Sequence, residues 1–192
     1  MHKRTLILAS SLGFVLSLAL SACSTTGTDA KADPAAKRMT IDSAVDGALS
    51  KLYAQVPGSR EMVGRSRGVL VFPAVISAGF IIGGSHGEGA LRAGGKTAGY
   101  YSTTAASAGL LAGADSKALY VLFMNDEALN KFLASMGWTA GVDASVTMIN
   151  VGAAAGGDTR TAAQPVIGYT LSNAGLMAGV SVDGTKVNKL DL

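Results

Sequence analysis

The chain of 192 residues holds a single cysteine, Cys23, and two histidines, His2 and His86. One cysteine excludes an intrachain disulfide. Two histidines far apart, with no second thiol, leave little for a zinc site or a histidine-based nucleophilic triad. Acidic residues are few and scattered, and no two stand at a spacing that suggests paired general acid and base. Cationic excess is also scarce. Lys and Arg total 16 against 13 Asp and Glu, and two of the cations, Lys3 and Arg4, lie at the extreme N-terminus. Without them the balance falls to +1, which argues against nucleic acid as a partner. No metal, no cofactor and no catalysis are expected.

Glycine and small apolar residues are what the chain has in abundance, with 25 glycines and a hydrophobic fraction of 48%. The first stretch with a clear order is His2-Lys3-Arg4, then the uncharged apolar run Thr5 to Leu20, then Leu20-Ser21-Ala22-Cys23. A basic start, a short apolar run and small residues make a secretory signal over residues 1–22; the run is short for a transmembrane helix. Leu20-Ser21-Ala22-Cys23 resembles the lipobox of bacterial lipoproteins. The resemblance implies cleavage before Cys23, acylation of its sulfur and new amino terminus, including by palmitate, and lipid anchoring in the cell envelope. Ser24 after the cysteine implies sorting to the outer membrane, facing the periplasm or the surface. Ser24 to Ala36 is small and polar, so residues 23–39 are expected to form a flexible tether.

From Thr40 to Val56 the apolar residues Ile41, Val45, Ala48, Leu49, Leu52 and Val56 recur at helical spacing, and Pro57-Gly58 ends the run. Such a helix either packs its apolar face on the domain or lies on a lipid surface; Asp42 and Asp46 on its polar side favour packing. Lys37, Arg38, Lys51, Arg60, Arg65 and Arg67 make this the most basic part of the mature chain. A cluster of this kind attracts anionic head groups at about 1 kcal/mol per charge; a merely solvated face is the alternative.

Val69–Phe72 and Val75–Ile82 read as two buried strands separated by Pro73, followed by the glycines 83, 84, 87 and 89. Ala98–Ser102, Ser107–Gly113, Ala118–Met124, Val142–Val151, Pro165–Leu171, Gly175–Val182 and Thr185–Leu190 read as further short strands. Asn125 caps a short helix over Asp126 to Ser135, with Leu129, Phe132 and Leu133 facing inward. Gly94-Gly95-Lys96-Thr97 resembles the end of a phosphate loop, but Ala90 stands where the first glycine belongs and a strand follows, so it is expected to be a hairpin turn. His86 and Glu88 could share one face of a strand, as a surface pair or as an acid–base pair. The pattern Ala-Gly-apolar-apolar-x-Gly appears at Ala78–Gly83, Ala108–Gly113 and Ala174–Gly179, and reads as related strands whose glycines allow tight curvature. The expected architecture is α+β: an antiparallel β-sheet curled into a small barrel, with an N-terminal amphipathic helix and one or two short helices packed on it.

Gly68-Val69-Leu70-Val71-Phe72-Pro73, Ala78–Gly84 and Gly87-Glu88-Gly89-Ala90-Leu91 together resemble the SYLF domain. Tyr169-Thr170-Leu171-Ser172 and Gly175–Gly184 look like that family's closing motif. The resemblance extends over residues 40–192 and implies a lipid-binding domain, some members of which bind actin. The expected function is therefore a lipid-anchored envelope lipoprotein whose domain binds membrane phospholipids. The alternative is a structural or protein-interaction module of the envelope with an envelope protein as partner.

Overall fold

The computed structural model describes residues 33–148, 164–172, 175–176 and 184–192, with the backbone alone for 79–82, 107–114 and 175–176. The signal, Cys23 and most of the tether lie outside the described residues. So do the loop from Gly152 to Ala163 and most of the third Ala-Gly copy.

Helix α1 spans Pro34–Gln55. It starts six residues before the expected boundary at Thr40, so residues 34–39 are helical and do not belong to a tether. The signal is local. Asp33 accepts a hydrogen bond from the Ala35 N–H, and Pro34 occupies the first turn, where its missing N–H costs nothing. A short helix α2, Ser59–Arg65, follows the left-handed Gly58.

Seven strands among the described residues form one mixed sheet, curved into a half-barrel. Two of them dominate. β1 is Gly68–Ala93 and β2 is Lys96–Phe123, joined at Gly94 and Gly95, whose φ values of 58° and 76° make the tight hairpin turn. The runs expected as five separate strands are thus parts of one long antiparallel pair. Pro73 does not end β1; it sits where the register shifts between Phe72 and Val75, a bulge at which no ladder N–H is needed. A second shift falls between Gly79 and Ile81, where the first Ala-Gly copy pairs with the second: Gly79 is opposite Gly113, and Ile81 opposite Gly109.

The long hairpin bends back on itself. A Cβ on Gly87 would stand 2.8 Å from the Ala74 oxygen, and one on Gly89 would lie 2.8 Å from Phe72 Cδ1 and overlap the Val71 oxygen. The second half of β1 therefore meets its own first half at backbone distance, which only glycine permits.

On its other edge β2 pairs with β5, Val166–Ser172, and with β7, Lys186–Leu190. β6, Gly175–Leu176, pairs antiparallel with the end of β5, and β3, Trp138–Thr139, pairs antiparallel with β7. β4, Thr147–Met148, runs parallel to β5 and makes the sheet mixed rather than wholly antiparallel. β4 is also all that appears of the strand expected over 142–151 within the described residues.

Both faces of the sheet are buried, which is why its strands read as continuous apolar runs. Alternation divides the side chains. Val69, Val71, Tyr120, Leu122, Ile167 and Tyr169 meet Ile41, Val45, Ala48 and Leu52 of α1. Leu70, Phe72, Val121, Phe123 and Val166 meet Leu129 and Phe132 of α3, Asp126–Ala134. Asn125 caps α3 by accepting from the Ala128 N–H. Phe132 touches the rings of Tyr101, Phe123 and Trp138, with centroids 4.9, 4.8 and 5.8 Å apart. Leu133, expected inward, is 46% exposed, because the three rings already fill the contact of this short helix.

Candidate functional site

Helix α1 carries three of the six candidate cations and is fastened to the sheet along its length. Its apolar face is spent on the core, so the packing alternative holds and that face is not available to lipid. Near its middle the Tyr120 hydroxyl donates to the Ala48 oxygen at 2.8 Å, out of reach of solvent. Burial pushes Tyr120 up to about 12. Nearly two turns earlier, Asp42 accepts from the hydroxyls of Thr97 and Tyr100, each at 2.8 Å, and faces Arg92 at 3.3 Å. Arg92 also holds Asp46 at 2.7 Å. The Tyr100 hydroxyl titrates above its usual range, mainly through burial and then through its bond to Asp42.

The six cations do not form one patch. Lys37 and Lys51 stand fourteen positions apart on α1, about 21 Å along the axis. Lys37 pairs with Glu88 at 2.7 Å, half-buried. Arg38 donates to the main-chain oxygen of Leu192. Lys51 reaches the Ser172 oxygen at 3.4 Å. Arg60 lies over the Tyr53 ring, 4.4 Å from its centroid. Burial raises the Tyr53 hydroxyl, and the Arg60 charge draws it part of the way back. Arg65 pairs with Glu61 at 2.7 Å and Arg67 with Asp126 at 3.4 Å, both well exposed.

Energetics separate these six into two groups. Exposed pairs are worth roughly 0.2–1 kcal/mol, so Arg65 and Arg67 can exchange their carboxylates for other anions at little cost. Lys51 and Arg60 have no Asp or Glu partner among the described residues. Glu88 is engaged by Lys37, while the adjacent His86 is exposed.

Two clefts flank α1. The larger, about 490 Å³, lies between Asp46, Tyr53, Arg67, Arg92 and the Gly94-Gly95 turn. The smaller, about 200 Å³, is lined by Gly47, Lys51, Ser116, Lys117 and Tyr120, among others. The sequence drew attention to neither Arg92 nor Lys117. Each is a lone cation inside a strand, and its meaning comes only from what the fold sets opposite it. Among the described residues no cluster of His, Cys, Asp or Glu could hold a metal ion, and no helix is long and apolar enough to cross a membrane.

This is an α+β half-barrel whose sheet is covered on both faces by the chain's own helices. Residues 104–191 match the family model described as Ysc84: Las17-binding protein actin regulator, which is consistent with the SYLF resemblance; the match takes in the closing motif and not the motifs of Gly68–Leu91. The stretch runs from within β2 through α3 to β7, and α1 and all of β1 precede it while sharing its sheet and cores. The description is that of a binding protein, and a binding module is the coarse function it supports. No curated protein matches the chain.

Proposed function

We propose that the protein is a lipid-anchored lipoprotein of the bacterial cell envelope whose SYLF domain binds anionic membrane phospholipids without catalysis. The family match over residues 104–191 is the observation that carries the binding module. The lipobox-like stretch ending at Cys23 supports the anchor, with the outer membrane as destination. Head-group attraction falls to Lys37, Arg38, Lys51, Arg60, Arg65 and Arg67. Lys51 and Arg60 contribute most, because no Asp or Glu among the described residues faces them. At about 1 kcal/mol per charge near an anionic surface, replacing these two by Gln weakens vesicle binding by about thirtyfold.

The test is flotation of a soluble form starting at Ser24, with vesicles of phosphatidylglycerol and phosphatidylcholine. Binding is expected at low salt and should weaken as salt shortens the Debye length. No binding to anionic vesicles at low salt refutes the proposal. The family description also names a protein partner for its own members. A protein-interaction role in the envelope would show as vesicle binding at background level together with a stoichiometric envelope protein partner.

A further inference from the structure

We infer that the smaller cleft beside α1 is a binding site for a phosphate group, held by Lys51 and Lys117. This inference deepens the phospholipid reading and rests on it only for the source of the phosphate.

The convergence of two lysines in one cavity sets the cleft apart. Lys37, Arg65, Arg67, Arg92 and Lys131 each have a carboxylate within 4 Å. Lys51 reaches the Ser172 oxygen at a long 3.4 Å, and among the described residues neither Lys51 nor Lys117 has an Asp or Glu partner. Yet both lysines line the same cavity, one from α1 and one from β2. Among the described residues no Asp or Glu lines it with them. Two ammonium groups sharing a concave space without a counter-ion repel each other and focus a positive potential there. An anion relieves both effects.

The shape suits a small oxyanion. Ala44, Gly47 and Lys51 lie on one flank of α1, spaced three and four residues apart, so the helix turns its smallest side chains to the cleft. A Cβ at Gly47 would meet nothing within 4 Å, so the space at the helix wall is open. Pro73 and Ser116 form the facing wall, and the buried Tyr120 hydroxyl, already committed to Ala48, closes the floor. At about 200 Å³ the cavity has room for a phosphate group with some water. Lys ammonium groups bind phosphate as point charges with three donors each, and the Ser116 hydroxyl adds another donor.

The experiment uses the full chain in non-ionic detergent. It titrates inorganic phosphate, short-chain phosphatidic acid and short-chain phosphatidylcholine by calorimetry. The variants are Lys51→Gln and Lys117→Gln, with Lys131→Gln as a control outside the cleft. Phosphate or phosphatidic acid should bind the unmodified chain, with affinity about tenfold weaker in each cleft variant and unchanged in the control. Phosphatidylcholine should show no lysine-dependent binding. A response to phosphatidic acid well above that to phosphate assigns the group to a lipid. Equal responses assign it to free phosphate, and the site then stands even where vesicles do not bind. Vesicle binding without any lysine-dependent response to either phosphate compound overturns the site and leaves the phospholipid reading intact. Absence of binding to both compounds overturns the site as well.

Discussion

Replacing Tyr120 by Phe removes one oxygen from the contact between α1 and the sheet, and the structure fixes how the effect should vary with pH. At pH 8 the hydroxyl is neutral in the folded and the unfolded chain. The variant loses one buried hydrogen bond, to Ala48 at 2.8 Å, worth about 1 kcal/mol. Burial holds the folded Tyr120 up to about 12, against an ordinary value of 10.0. Above pH 10 the unfolded chain therefore releases this proton while the folded chain keeps it. Stability falls as pH rises, at up to about 1.4 kcal/mol per unit, and the loss continues until pH passes the folded value. At pH 11 the wild type has lost about 1.4 kcal/mol that the Phe variant never had to lose. The two stability curves should consequently cross near pH 11, with Tyr120 favoured below and Phe favoured above. Tyr53, Tyr100, Tyr101 and Tyr169 are also raised, mainly by burial, but they are common to both proteins and cancel. Urea unfolding of both proteins at pH 8, 10 and 11 measures the difference. A difference that stays constant over that range would refute the reasoning, because it would mean that the hydroxyl is not shielded by the helix.

Asp42→Asn should cost about 1–2 kcal/mol in urea unfolding, since Arg92 loses a charge partner and the Thr97 and Tyr100 hydroxyls lose a carboxylate acceptor. The same variant should move the Tyr100 titration, followed by ultraviolet difference absorbance, back toward its ordinary value without reaching it, because burial is the larger cause. Gly89→Ala drives a methyl into the backbone at Val71 and the ring of Phe72, which cannot both yield; a loss of at least about 3 kcal/mol, or failure to fold, is expected in thermal melts. Gly47→Ala, on the open flank of α1, should instead raise stability by roughly 0.5–1 kcal/mol.

Local signals carried the α+β class, the hairpin turn at Gly94-Gly95 and the cap at Asn125, because each depends on residues a few positions apart. Asp33-Pro34 was an equally local signal for the start of α1, masked by the polar composition around it. The unity of β1 was not legible. Pro73 looks like a terminator until its place in a bulge is known, and a run of glycines looks like a break until the chain is seen crossing itself at Gly87 and Gly89. The basic cluster was legible as charge but not as a surface. Glu88 and Asp126 meet Lys37 and Arg67 from far along the sequence, and Lys117 joins Lys51 only because α1 lies across β2. No window of sequence contains those pairings.

The bent hairpin also constrains how the domain is made. Its first pairs, Ala93 with Lys96 and Arg92 with Thr97, are nearly adjacent in sequence, whereas Gly68 and Phe123 close a loop of more than fifty residues. Zippering outward from the turn therefore begins fast and ends on contacts of high order. The back-packing of Gly89 on Val71 requires the far end to have formed, so the near end cannot be finished first. Until then the segment Val69–Phe72 presents an unpaired, fully apolar edge, a template for other chains. The late step of folding, rather than the stability of the finished domain, is where aggregation would compete.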